Sequence, residues 1–436
     1  MRNLFVYIVI GALVTSCSSD EPEIKSNNII TNSYNIDKRS LDEALEIADK
    51  CAGLNSNTYG RATETKTVNK NTVTCLTRHN SRSFNDTLIY AIDYKDNEGY
   101  ILVSANKNTE PVLAIIDKGS FSDEPDFIKC GYDLFIDKAL DYVETAASPD
   151  AIIEPSEDFI MLWKQDTLAL QDACPEYRLD VEWGQYWPEN MFCPNKIAGG
   201  TPVAIAQFMS YFNTPVNIPL TFDGAPFDFL SVDWNELKKH NKSTGYIDPT
   251  SMQDLVHGNN CVASNNAHIT LGALIRQLGV IQTSTYRGIA DGSDRTYTRS
   301  AYHISEFAAR YMANLEHYAM EPGKFYEALK DGGIGIVEAE IEEEEFYNHD
   351  WLADGVTKID YTITTYYNYN VRTKEYTSKT VEHQTHNYIH YNWGMHGRYN
   401  GWFLDGVFDL EKGKKIGLNS RADFTVSRIV NAYVYK

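Results

Sequence analysis

The sequence predicts an α+β protein in two parts, a small mixed unit followed by a larger one with a helical lobe and an antiparallel-sheet lobe. Three observations carry this. Beyond residue 178, apolar residues at helical spacing (269–278, 305–315) give way from residue 332 to short alternating runs such as YTITTYYNYNVRTKEYTSKT. Helices followed by strands imply an α+β unit with two lobes. The 436-residue chain exceeds one typical domain, and a stretch containing Pro155 and several acidic residues separates its parts over 151–178.

The elements follow in chain order. Met1, Arg2 and Asn3 precede an apolar run at 4–14 and then Thr15, Ser16 and Cys17, the pattern of a secretory signal over 1–17. The run is too short to span a bilayer as a mature helix. Residues 18–39 are rich in Ser, Asn, Asp, Glu and Lys and cannot support a core, so they read as a tether. The small unit, 40–150, opens with the capping box Ser40-Leu41-Asp42-Glu43, and Leu41, Ala44, Leu45 and Ala48 recur at helical spacing. Runs at 88–94 and 100–105 flank KDNEG as a hairpin, 111–116 adds a strand, and Leu134, Ile136, Leu140 and Val143 mark a second helix. In the larger unit, 179–436, Thr201-Pro202 fits an N-cap followed by Pro at the first helical position, which leaves Gly200 at the mouth of a helix over 203–209.

Composition excludes several function classes. Thirty-nine basic against 60 acidic side chains give a net charge of -21, which argues against nucleic acid and anionic lipid as partners. Cys51, Cys75, Cys130, Cys174, Cys193 and Cys261 are scattered without a CxxC pair, so neither a zinc cluster nor a redox motif is expected. One or two disulfides would suit an oxidising compartment, with pairing left open. His383, His386, His390 and His396 lack nearby Cys or paired carboxylates in the sequence, and no metal or cofactor is expected. The acidic run 342–345 reads as solvated surface.

Four segments carry a resemblance to streptopain-like, papain-fold cysteine peptidases. AGGTPVAIAQFMSY is similar to the family's nucleophile segment A-G-C-[VT]-[AP]-x-A-x-A-Q-x-M-x-Y; Gln207, Met209 and Tyr211 set the register, so Gly200 falls where the nucleophilic cysteine is expected. VEWGQYWPEN resembles W-x-Q-x-x-P-[YF]-N and puts Gln185 at the oxyanion glutamine, with Glu189 departing from the pattern. NHDWLADG resembles G-H-A-[WF]-V-x-D-G and makes His349 the general-base position, flanked by Asn348 and Asp350 in place of Gly and Ala. HYNWGMHGRYNGWF resembles N-W-G-W-G-G-x-x-x-G-[YF]-F and supplies Asn392 and Trp393 beside the histidine, with Met395 and His396 replacing Trp and Gly. GYILVSANKNTEPVLAIIDKGSF resembles the prodomain of the same peptidases, of the Spi type. The resemblance implies a papain-like peptidase domain behind a small α+β prodomain, acting on protein or peptide and needing no cofactor. Val14-Thr15-Ser16-Cys17 resembles a bacterial lipobox. It implies lipidation of Cys17 and an exported chain anchored to a bacterial membrane, at the cell envelope or surface.

A cysteine protease needs a thiolate at a helix N-terminus, a histidine to hold its proton, a group orienting that histidine, and oxyanion donors. Only the first is missing. Thr201 lies one position on, rotated by about 100° on a helix, and does not replace it. Three readings follow: an inactive lipoprotein with a peptide-binding cleft, an active secreted endopeptidase zymogen with a variant at position 200, and a surface capture or adhesion lipoprotein using the insert at 355–388.

Overall fold

The computed structural model describes residues 38–52, 66–77, 87–121, 131–146, 159–160, 164–171, 178–214, 218–222, 225–230, 232–239, 266–282, 284–286, 296–297, 316–318, 324–331, 333–341, 347–370, 372–407 and 428–435. The signal, Cys17, the tether to residue 37, Cys130, Cys174, Cys261, the helix expected at 305–315 and the run 342–345 lie outside the described residues.

The amino-terminal unit comprises α1 (Leu41–Cys51), β1 (Val68–Leu76), β2 (Ile89–Tyr94), β3 (Tyr100–Ser104), β4 (Val112–Ile116) and α2 (Gly131–Thr145). The expected capping box opens α1: the Ser40 hydroxyl accepts from the Glu43 amide and the Glu43 carboxylate accepts from the Ser40 amide. β1 to β4 form an antiparallel meander. β2, β3 and β4 are buried along their whole length, so they read as continuous apolar runs without alternation.

Two short strands then precede the larger unit, β5 (Phe159–Ile160) and β6 (Lys164–Gln171). Its helical lobe holds α3 (Gly200–Tyr211), the hairpin β7 (Ile218–Phe222) and β8 (Ala225–Leu230), α4 (Trp234–Lys239), α5 (Asn266–Ile281) and the small ladder β9 (Thr285–Tyr286) and β10 (Thr296–Tyr297). Next come β11 (Glu316–Tyr318), α6 (Lys324–Lys330), β12 (Ile334–Ile341), β13 (Tyr347–Asn370), β14 (Glu375–Asn392), β15 (Gly401–Leu404) and β16 (Arg428–Tyr435). Helices and strands segregate as expected for an α+β, papain-like two-lobed unit.

Two features go beyond the expected layout. The linker expected over 151–178 contains a strand, because β6 pairs antiparallel with β13 from Lys164↔Tyr366 to Gln171↔Ile359. β13 outruns β12, which pairs only with its first residues, and β6 takes up the edge left beyond. The two units also share one 12-stranded sheet, ordered β1-β2-β3-β4-β15-β14-β13-β12-β16-β11 with β5 and β6 on β13. The seam is β4 against β15, pairing Ala114, Ile115 and Ile116 with Phe403, Trp402 and Gly401.

Packing follows the sheet. One apolar core runs from Ala44, Ile92 and Phe135 of the amino-terminal unit to Trp351, Tyr391, Trp393 and Phe403 of the sheet lobe. A second lies in the helical lobe around Val203, Phe208, Leu274 and Leu278. The amino-terminal unit therefore shares its core with the sheet lobe.

A Cβ at Gly401 would collide with the Ile115 carbonyl oxygen, a backbone atom that cannot swing aside. Gly401→Ala should cost about 1–3 kcal/mol by overpacking the seam, read as a lowered denaturation midpoint. An unchanged midpoint would contradict the β4–β15 pairing.

Candidate functional site

α3 begins two residues earlier than the Thr201 cap would have it. Gly199 is the N-cap at φ 93, a conformation open to glycine, and no side chain caps the helix. Thr201 and Pro202 fall inside the first turn, where Pro is tolerated because those amides have no intrahelical acceptor. Thr201 lies beside the Asp350 carboxylate, whose pKa burial raises, with the Thr201 hydroxyl opposing that rise. Behind this turn the helix is buried through Ser210, as befits its apolar sequence.

His349, on β13, meets the start of α3. A Cβ built on Gly200 would sit 2.9 Å from His349 Nδ1, 3.1 Å from its Cε1 and 3.1 Å from the Asp350 carbonyl oxygen. The ring thus occupies space that a side chain at position 200 would need. His349 Nε2 lies 3.0 Å from the Trp393 carbonyl oxygen. A carbonyl only accepts, so Nε2 carries the proton and Nδ1 turns a lone pair toward Gly200. Burial lowers the imidazole pKa to about 4, opposed by the Trp393 bond, and His349 is neutral near pH 7. Trp351 stacks on the ring at 6.1 Å and 20°, and Trp393 packs on Trp351 at 4.9 Å. The first turn of α2 seals this stack from behind: Gly131 lies where even a Cβ would press on both indoles, at 2.7 Å from Trp393 and 2.9 Å from Trp351.

The other residues singled out by the sequence gather here in altered roles. Asn392 does not reach His349; its amide donates to Val181 O at 3.0 Å and Gln207 Oε1 at 3.1 Å, tying β14 to α3. The orienting group is the backbone carbonyl of Trp393, whose indole N–H is held by Tyr399 O at 3.0 Å. Gln185 is buried and its amide donates to the Met395 sulfur at 3.5 Å. Gly184, bridged to Met395, donates its amide to Glu189 Oε1 at 3.3 Å and lies directly under the His396 ring. Glu189 Oε2 and His396 Nε2 stand 3.7 Å apart. Burial pushes the Glu189 carboxyl up to about 8 and the His396 imidazole down to about 3, so this pair is uncharged near neutrality. Met395, His396 and Glu189, the departures from the expected pattern, thus pack on the Gly184-Gln185 segment as one group. Asp350, the departure beside His349, is buried, and desolvation raises its pKa to about 7.

The histidine row on β14 also has a use that sequence inspection missed. His390 is buried between two carboxylates, with Nδ1 2.6 Å from Asp354 and Nε2 2.9 Å from Asp117. Among the described residues no cluster of His, Cys, Asp and Glu has a metal-binding arrangement. Cys51, Cys75 and Cys193 are outside any disulfide.

With this geometry in view, the family is settled by comparison. The family model for the Peptidase C10 family matches residues 183–403, just over half of the chain. The chain belongs to that family. The Spi protease inhibitor family matches residues 33–137, which gives this C10 peptidase-family chain its prodomain. No curated protein matches. A solved structure of a mutant fragment of Prevotella intermedia prointerpain A is similar at 14% identity with a TM-score of 0.48, covering 84% of this chain and 98% of that one.

The buried imidazoles make acid stability a reporter of the site. The folded pKa of His349 lies below its ordinary value, so its contribution is whole above about pH 6.5 and is lost as pH falls toward 4. The loss amounts to about 3 kcal/mol at 1.36 kcal/mol per pKa unit. Glu189 and Asp350 act in the opposite sense, so the reporter is the difference from His349→Gln, which keeps a donor for Trp393 O. Urea unfolding should show the stability gap between parent and variant shrinking by that order between pH 7 and 4; a constant gap would mean an exposed imidazole.

Proposed function

We propose that this C10-family chain is an exported lipoprotein that has lost peptidase activity and keeps its prodomain. The carrying observation is the contact between His349 and a bare Gly200, in which the imidazole lone pair faces a residue with no group to deprotonate. Without a thiolate there is no covalent step, and glycine leaves only backbone donors. Removing the nucleophile of a serine protease lowers turnover by roughly 10⁶. The substituted group supports a settled change over an isolated variant at position 200, since Met395 takes the Gln185 amide, His396 covers Gly184 and Glu189 accepts the Gly184 amide. These contacts engage the Gln185 and Gly184 amides, the donors that would otherwise polarise a scissile carbonyl, which argues against peptide capture in the same cleft. Membrane attachment rests on the lipobox at Cys17. No described helix is long and apolar enough to cross a membrane.

The experiment pairs the parent chain with Gly200→Cys. The parent should leave casein and fluorogenic peptides intact. Gly200→Cys should stay slow as well, because His349 must retreat by a few tenths of an ångström and the Gln185 donor is engaged; its thiol should alkylate no faster than an exposed cysteine near neutral pH. Rapid alkylation with turnover in the variant would show that position 200 alone had been altered, and would restore the zymogen reading. Inhibitor-sensitive cleavage by the parent would overturn the proposal outright.

A further inference from the structure

The Asp117–His390–Asp354 cluster lies at the seam between the units, away from Gly200. Asp117 follows β4 in the amino-terminal unit, and His390 and Asp354 belong to β14 and β13. The side chains of His390 and Asp354 are each 1% exposed and that of Asp117 is 23% exposed. A neutral imidazole has a single N–H and cannot donate to carboxylates on both sides; the imidazolium can. The two distances, 2.6 and 2.9 Å, therefore fit a charged ring making two charge-assisted bonds.

Several neighbours hold this arrangement in place. Asp354 Oδ2 also accepts from the Leu179 amide at 3.1 Å, and the Asp354 carbonyl accepts from the Arg178 amide. The Asp117 amide donates to Asn400 O at 2.9 Å, and its carbonyl accepts from Lys66 Nζ at 3.0 Å. Trp402 of β15 packs on the imidazole at 4.9 Å and excludes water. Two positions along β14, the Tyr388 hydroxyl donates to the Val112 carbonyl at 2.8 Å. Further out, Lys118 pairs with Glu182 at 2.7 Å and His386 approaches Glu110 at 3.7 Å.

We infer that Asp117, His390 and Asp354 form an ionic clasp that holds the amino-terminal unit on the peptidase unit without help from the intervening chain, so that cutting that chain does not release it. The clasp is independent of position 200 and would operate equally in an active enzyme. Its only half-open member is Asp117. When His390 loses its proton, one carboxylate faces a lone pair, and Asp117 is the one able to withdraw into water. The carboxylates hold the His390 pKa near 10 against its burial, so this weakening belongs to strongly alkaline solution. Among the described residues the charged groups around the clasp include Asp354 from β13, Asp117 and Lys66 from the amino-terminal unit and Arg178 ahead of the helical lobe, with Lys118, Glu182, His386 and Glu110 further out.

The test uses the full chain with a protease recognition sequence inserted after Asp150, cut to completion, then gel filtration and dilution-dependent dissociation at pH 7. The two pieces should co-elute, and Asp117→Asn should weaken their association roughly tenfold to a hundredfold, the range for a charged hydrogen bond. Lys118→Gln, which removes an ion pair nearer to solvent, should change it less than about threefold. Raising the pH of the cut parent from 7 to above 10 should loosen it, and Asp117→Asn should lose most of that dependence. Separation of the cut parent at pH 7 would overturn the inference, as would an Asp117→Asn complex as tight as the parent's. Circular dichroism of the uncut variant checks that it folds.

Discussion

The antiparallel pairing of β13 with β14 positions everything else that matters here. It runs from Leu352↔Asn392 to Asn370↔Glu375, with one irregularity between Ala353 and Gly355. The extra residue is Asp354. A bulge leaves one residue out of the ladder and re-aims its side chain, and here the re-aimed carboxylate meets His390 on the facing strand. On the near side of the bulge the same two strands bring His349 to the Trp393 carbonyl. Ladder and bulge thus build the His349 site at one end and the His390 cluster a few residues away.

In the proposed reading, the site is a peptidase site remodelled around glycine. A catalytic histidine must stand off from its thiol far enough to exchange a proton, whereas His349 presses onto the start of α3 where a Cβ would lie. Burial then removes its basicity. On the opposite wall, Met395 and His396 fill the space over Gln185 and Gly184, and Glu189 joins them from below as a buried, uncharged acid. Each replacement satisfies or covers a neighbour, and the group is consistent with itself. Behind the histidine, the tryptophan pair and α2 tie that wall to the amino-terminal unit, so the stability of the site and the docking of that unit are coupled through one core.

Much of this was legible in the sequence, for identifiable reasons. Gly200, Gln185 and His349 could be placed because each sits in a local pattern, and the capping box at Ser40 needs only four residues to be recognised. The role of Asn392 was not legible: neighbouring strand residues face opposite ways, and its amide turns to Gln207 while a backbone carbonyl does the orienting. Thr201 looked like a cap because nothing in the letters shows that Gly199 takes a positive φ. The edge strand β6 was hidden since its pairing is made by backbone, and Lys164–Gln171 resembles any mixed stretch. The partners of His390 lie 36 and 273 residues away in the chain, Asp354 reaching it through the β13–β14 ladder and Asp117 through the sheet seam, so the letters around it show neither.

The state of His349, sealed and neutral against a bare helix terminus, is open to direct observation. Nitrogen-15 NMR of labelled histidine, with His349 assigned by substitution, would follow its two ring nitrogens from pH 8 to pH 3. The ring should stay in its Nε2-protonated neutral form down to about pH 4. Titration near the ordinary imidazole value of about 6.5, or a proton found on Nδ1 at neutral pH, would contradict it.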